Sequence, residues 1–180
     1  LGDVYKRQNN VELPKTFDEF LDVCTTFQNA GVTPLAAGLK SWEPLLKSSM
    51  AFVTAEYLST DEGKGFGEKY RNGEVTMDGT WNPYIETWSQ LIDNGVYTAD
   101  MTGIDHDQAL EQFATGGSAM FCSGPWDYDA IMEKNPELQL DMMPFYGTKE
   151  SAGWLIGGPG CGFAANASSC LLYTSPSPRD

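Results

Sequence analysis

The chain has 180 residues, 11 basic and 25 acidic side chains and a formal charge of −14. That length holds one domain, or one lobe of a larger protein, and 41% apolar residues with 19 glycines and 10 prolines fit a globular chain. The acidity argues against a nucleic-acid binder, which needs a basic face to displace counterions, and against a binder of anionic membrane surfaces. No apolar run reaches the roughly 18 residues that a membrane-spanning helix needs, and no N-terminal signal segment is visible. The single histidine, His106, excludes a His-rich metal site, and Cys24, Cys122, Cys161 and Cys170 lack the CxxC spacing of zinc ribbons.

Both ends differ from the interior. Residues 1–8 (LGDVYKRQ) and 170–180 (CLLYTSPSPRD) resemble translated adapter from a transposase-based sequencing library. The tail can be encoded from TGT CTC TTA TAC ACA TCT CCG AG. The reverse complement of that string reads Leu-Gly-Asp-Val-Tyr-Lys-Arg and opens the codon of Gln8. Both ends are therefore expected to be artefact, to be excluded before fold reasoning. The interior then carries 8 basic and 23 acidic residues, a charge of −15, and three cysteines. On this expectation the missing signal peptide reflects truncation.

In chain order, Thr16-Phe-Asp-Glu19 is a capping box ahead of Phe17, Phe20, Leu21, Cys24 and Phe27 at helical spacing, with Gly31 as the left-handed stop. Cys24 on that stripe reads as a buried thiol. Residues 32–37 read as a short strand running into a turn at Gly38. A second helix is expected over 42–58, with Leu45, Leu46, Met50 and Val53 on one face, and 59–79 as a glycine-rich excursion with little regular structure. A third follows Trp81, Tyr84, Ile85, Trp88, Leu91 and Ile92 and stops at Gly95. Asp105 caps a fourth over 106–115, burying Ala109, Leu110 and Phe113. Residues 118–123 form a strand, and Gly124-Pro125 opens a helix to about Lys134, with Pro where its missing N–H costs nothing. Leu138, Leu140 and Met142 alternate as a strand, and residues 161–165 read as a last one. Alternating strands and helices predict an α/β fold.

Few motifs carry chemistry. Asp105-His106-Asp107 lacks a GxSxG partner and reads as a helix cap with a surface histidine. Gly157–Gly162 has no Lys-Ser/Thr sequel, so it is a turn or hinge and not a P-loop. Asp127-Tyr128-Asp129 lacks the EF-hand pattern, and neither metal nor cofactor is expected. The tryptophans are more informative. Trp81 and Trp88 lie on an apolar helical stripe and read as core. Trp42, Trp126 and Trp154 sit near turns beside polar residues. Aromatic faces stack on the C–H faces of sugar rings while neighbouring polar groups bond the hydroxyls. The same placement would also suit three plugs in small apolar gaps, and composition leaves both open.

The order of segments is similar to that of the family 1 extracellular solute-binding proteins of ABC importers, the group that includes the maltose-binding protein. The resemblance rests on Leu13-Pro-Lys-Thr-Phe-Asp-Glu-Phe20, Ala30-Gly-Val-Thr-Pro-Leu-Ala36, Ser41-Trp-Glu-Pro44, Phe113-Ala-Thr-Gly-Gly-Ser-Ala-Met120, Ser123-Gly-Pro-Trp-Asp-Tyr128, Met143-Pro144 and the glycine-rich return at 157–163. It covers nearly all of 9–169. The resemblance implies an α/β, periplasmic-binding-protein-like fold of type II, mostly the C-terminal lobe. Residues 9–156 would be that lobe and 157–169 a hinge strand returning toward the other lobe, with Gly157, Gly158 and Gly160 as hinge residues.

By the same resemblance, sugar contacts fall on Trp126, Trp42 and Glu43, with Tyr128 and Trp154 as weaker carry-overs. Trp81 joins them if the Asp78-Gly79-Thr80 turn faces the cleft. Asp127 departs from the maltose-specific pattern, which argues against maltose itself. The implied function is the extracytoplasmic, lipid-anchored or periplasmic sugar-binding component of an importer. It would be a monomer and not an enzyme, with a carbohydrate ligand, ABC permease subunits as partners and no nucleic acid. A glycoside-acting enzyme and a surface adhesion module are the alternatives. Cys24 and Cys122 are expected to be unpaired and buried.

Overall fold

The computed structural model describes residues 13–149. Thr16 starts helix α1 (Phe17–Asn29): its hydroxyl accepts the Glu19 N–H at 3.2 Å, and the Glu19 carboxylate accepts the Lys15 N–H at 2.7 Å. One of the free donors at the helix start is thus satisfied, together with the N–H of the residue just before the cap. Gly31, at φ 73°, ends the helix and turns the chain into strand β1 (Thr33–Ala36).

β1 pairs in parallel with β2 (Ser118–Phe121), Leu35 opposite Met120 and Ala36 opposite Phe121. A parallel pair needs a long crossover, and residues 37–117 supply it. Side chains alternate across a strand, so the sheet has two distinct faces. Leu35 and Met120 enter one core cluster with Phe17, Phe20, Cys24 and Phe27 of α1, together with Phe52, Trp88, Leu91 and Tyr97. Ala36 enters the other, with Ala109, Leu110, Phe113 and Ile131, and Phe121 packs against it. The sheet is therefore covered on both faces, as the α/β expectation required.

The crossover contains α2 (Glu43–Val53), a π-helical turn (Thr54–Leu58), α3 (Phe66–Arg71), α4 (Asn82–Trp88), α5 (Gln90–Asp93), a 3-10 turn (Ala99–Gly103) and α6 (His106–Ala114). After β2 come a 3-10 turn (Pro125–Asp127) and α7 (Tyr128–Lys134).

Several elements differ from the sequence expectation. The buried face of α2 runs through Pro44, Ser48, Ser49, Phe52 and Val53, while Leu46 is exposed and Met50 half-buried. Ser48 faces the core because its hydroxyl is satisfied there: it donates to the Pro44 carbonyl at 2.8 Å and lies 3.0 Å from the Tyr97 hydroxyl. The 59–79 excursion holds a short helix, α3. The long third helix is broken at Ser89, whose hydroxyl bonds back to the Glu86 carbonyl at 2.6 Å. Residues 138–144 are not a strand. Leu138 and Leu140 pack on the second cluster instead, without entering the ladder of the described sheet. The expected strand at 161–165 lies outside the described residues.

The chain enters and leaves this body at one place. The Phe17 N–H donates to the Gly147 carbonyl at 2.8 Å, and Phe145 packs on Phe17 and Phe20 with ring centroids 6.2 and 5.6 Å apart.

Candidate functional site

Because β1 and β2 are parallel, both C-terminal ends meet one edge of the sheet, where open α/β sheets place their ligands. The loop after β1 leads through Gly38 and Ser41 into α2. The loop after β2 leads through Ser123 and Gly124 into Trp126. The start of α6 is the third wall. A Cβ on Gly38 would lie 2.8 Å from the Asp105 carbonyl group and the His106 nitrogen, so only glycine lets that helix start approach so closely. Asp105 caps α6 and forms a reciprocal box with Gln108.

These three walls enclose a cleft of about 230 Å³, lined by Ser41, Glu43, Pro44, Lys47, His106, Cys122, Ser123 and Trp126 as well as Gly38. The Trp126 indole is 60% exposed, a large apolar surface left uncovered at the mouth. Lys47 Nζ stands 4.7 Å from its ring centroid, a cation–π contact. The same ammonium bonds the Glu43 carboxylate at 2.7 Å, one helical turn earlier. That hydrogen bond, and then the lysine's charge, holds the Glu43 carboxyl below the usual carboxylate range.

Behind the mouth, the carboxylate of Asp127 is nearly buried and both its oxygens are used. Oδ1 lies 3.0 Å from His106 Nε2, and Oδ2 accepts from the Ser123 hydroxyl. One carboxylate thus ties the start of α6 to the loop after β2. Cys122 is unpaired and half-buried by its surface, and burial pushes its thiol up, with the Tyr97 hydroxyl 3.8 Å away. Cys24 is unpaired and fully buried, and burial pushes its thiol up to about 12.

Of the residues singled out in sequence, Trp126 and Glu43 are brought together at this cleft although 83 positions separate them. Trp42 is 68% exposed at the start of α2, next to Glu43, and Tyr128 is 53% exposed at the start of α7, but neither lines the cleft. Trp81 is placed differently. It packs on Phe66 with centroids 5.7 Å apart, and Gly79 and Thr80 of its turn line a separate hollow of about 520 Å³ with Tyr57, Glu62 and Lys69. Trp154 and Gly157, Gly158 and Gly160 lie outside the described residues.

Sequence reasoning missed Lys47, Ser123 and the second role of His106. His106 does sit beside the cap, as expected, but it also faces Asp127 across 21 positions. Only the i,i+4 spacing of Glu43 and Lys47 was a visible signal for the ion pair.

The arrangement can hold a polar ligand. A flat aromatic plate stands beside hydroxyl, carboxylate, ammonium and imidazole groups. In a Ser-His-Asp triad the histidine stands between the other two and takes the serine proton. Here the carboxylate stands between, and Ser123 gives its hydrogen bond to Asp127 and not to His106, so the triad order is absent. No cluster of potential metal ligands occurs among the described residues.

The model of the bacterial extracellular solute-binding proteins matches residues 5–170. The chain belongs to that family. The resemblance read from its motifs is borne out, and the family places such solute-binding proteins outside the cytoplasm. No helix among the described residues is long and apolar enough to cross a membrane. No curated protein sequence matches.

Among solved structures, a family 1 extracellular solute-binding protein from Bifidobacterium longum subsp. infantis is 24% identical with a TM-score of 0.71, over 87% of this chain and 40% of that one. A sugar transporter protein from Bacillus licheniformis, in complex with stachyose, is 18% identical with a TM-score of 0.69, over 84% and 40%. A structure from work on xylan utilization by the thermophile Caldanaerobius polysaccharolyticus is 24% identical with a TM-score of 0.64, over 75% and 33%. At these identities the likeness establishes the fold: periplasmic-binding-protein-like, type II, with this chain forming part of it. The chain spans about a third to two-fifths of the length of these structures.

Proposed function

We propose that this solute-binding protein is the carbohydrate-capturing component of an ABC importer, and that residues 9–156 are the C-terminal lobe of a two-lobed receptor. The observation that carries the reading is Trp126: a 60% exposed indole at the C-terminal ends of two parallel strands, over a cleft walled by Ser41, Glu43, His106 and Ser123. A singly exposed apolar side chain is common on a folded protein; what sets Trp126 apart from the more exposed Trp42 is its place at the mouth of a cleft with convergent polar groups, the way small-molecule sites are built. The neighbours' names agree, since the Bacillus licheniformis protein was crystallised with stachyose.

In this reading a sugar ring lies on Trp126 while the polar walls bond its hydroxyls, with Trp42 and Tyr128 extending the surface toward further units. The second lobe closes over the ligand, and the closed form is what the permease subunits recognise. Closure signals only if the sugar binds the closed state better than the open one. The meeting of chain entry and exit at Phe17 and Gly147 supports a hinge there, with 157–169 as the returning strand and Gly157, Gly158 and Gly160 as its pivots. Residues 1–8 and 170–180 are adapter-derived. The receptor works as a monomer outside the cytoplasm, lipid-anchored at the outer face of the membrane or periplasmic.

Isothermal titration of the full-length protein with stachyose, xylo-oligosaccharides, chito-oligosaccharides and galactose tests the reading. The wild type is expected to bind at least one of them saturably and release no product. Trp126→Ala should weaken that binding by about 100-fold or more, as for an anchor residue at the centre of a contact. Turnover of an oligosaccharide, or undiminished binding by Trp126→Ala, would refute it.

A further inference from the structure

The residue that most constrains the Trp126 plate has no side chain. Gly124 has φ −149° and ψ −176°, extended backbone that any residue adopts. Glycine is therefore not required there for conformation. It is required for space. A Cβ built on Gly124 would lie 2.3 Å from Trp126 Cη2, 2.4 Å from Cζ3 and 2.7 Å from Cζ2. Three ring atoms at nearly equal distance put that point over the face of the six-membered ring and not beyond its rim. The indole therefore folds back flat over the Gly124 backbone, two residues before its own Cα.

That contact has two consequences. One face of the outer ring is covered by the chain itself, so a ligand meets the other, with the Lys47 ammonium 4.7 Å from the ring centroid as its neighbour. The indole is also held in one pose at the cleft mouth although most of it is exposed. Gly38 has a comparable close approach, but its neighbours are backbone atoms of Asp105 and His106, which cannot rotate away. The atoms against Gly124 belong to an exposed side chain, which can swing out without disturbing the core.

We infer that Gly124 is a positioning residue for the ligand plate: its missing side chain makes room for Trp126 to lie back and present a single face to the sugar. The inference rests on the reading of Trp126 as the stacking residue and adds which residue sets its pose. A Cβ at 124 would expel the ring and leave the lobe folded.

The test is a double-mutant cycle in the full-length protein, titrated calorimetrically with whichever sugar of the panel above binds the wild type. Gly124→Ala is expected to weaken binding by about tenfold or more through lost preorganisation, with its melting temperature unchanged. In a Trp126→Ala background the same change should cost nothing further, because the group it displaces is gone. If Gly124→Ala fails to fold but the Gly124→Ala/Trp126→Ala protein folds, the contact is still the one inferred. Wild-type affinity in Gly124→Ala, losses that add across the two positions, or misfolding of both variants would each overturn it. If the wild type binds no sugar of the panel, the carbohydrate reading fails and not this one. Trp126 fluorescence then decides the pose: in a full-length variant with every other tryptophan replaced by phenylalanine, Gly124→Ala must shift the emission toward that of fully solvated indole.

Discussion

Trp88 and Trp126 are the same residue in opposite circumstances. Trp88 lies on the buried stripe of α4, 7% exposed, its ring 5.9 Å from that of Tyr97 and its Nε1 without a partner among the described residues. Trp126 follows a strand end and a Gly-Pro step and is 60% exposed beside an ammonium group. The sheet accounts for the difference. Side chains that point from a helix toward the sheet face become core, and those in the loops beyond the strands' C-terminal ends stand at the rim. Trp81 sharpens the lesson. It lies only 7 positions before Trp88, at the cap just ahead of α4, yet packs on Phe66 of α3 and not in the main cluster that holds Trp88.

The widest separation between the two regions is in stability. Trp88→Ala should cost about 3–5 kcal/mol, the range for deleting a large buried aromatic, measured by urea denaturation. Trp126→Ala should stay within about 0.5 kcal/mol of wild type, as surface substitutions do. Equal losses at both positions would erase the distinction between core and rim.

A second difference is electrostatic and confined to the core. The buried Cys24 thiol is pushed up to about 12, against about 9 when unfolded. Its folded value is raised, so its contribution is intact below about pH 9. Above that the unfolded chain ionises and the folded one does not, and stability falls by about 1.4 kcal/mol per pH unit until the folded value is reached. Cys24→Ala should flatten the decline of unfolding free energy between pH 9 and 12. In the native state Cys24 should also react with thiol reagents only through unfolding. An unchanged slope in Cys24→Ala would mean that other groups carry the alkaline loss.

Much of the fold was legible because its signals are local. The α1 stripe, the Thr16 and Asp105 caps, the Gly31 stop and the apolar run 118–121 each declare themselves within a few residues. Where tertiary contacts decide, reading failed. Ser48 is buried because Tyr97, 49 positions on, lies beside its hydroxyl, and no pattern within α2 shows that. The alternation of Leu138 and Leu140 is real, but those side chains serve the second cluster without a strand around them. The cleft divides in the same way. Trp126 and Glu43 were visible in motifs, whereas the Asp127 link between Ser123 and His106 depends on α6 packing back along β2 so that the helix start meets the strand end, a fact that the residues state only jointly.

The smallest expected effect lies on the rim itself. Glu43 and Lys47 form an i,i+4 pair, both partners well exposed, and the pair also sets Lys47 over Trp126. The Glu43 carboxyl is held below its ordinary range chiefly by the lysine's hydrogen bond, so the pair's small contribution is present above the unfolded carboxylate range and lost as pH falls through the folded value. Lys47→Met keeps the aliphatic stem and removes the charge. Glu43 should then titrate closer to its ordinary range, followed by the pH dependence of its carboxyl NMR signal, with little change in the unfolding midpoint. High salt should imitate the substitution in the wild type, because at about 1 M the screening length is only about 3 Å. A salt-resistant, strongly stabilising pair would instead mean that the rim helps to hold the lobe together much as the core does, and exposure alone would no longer separate Trp126 from Trp88.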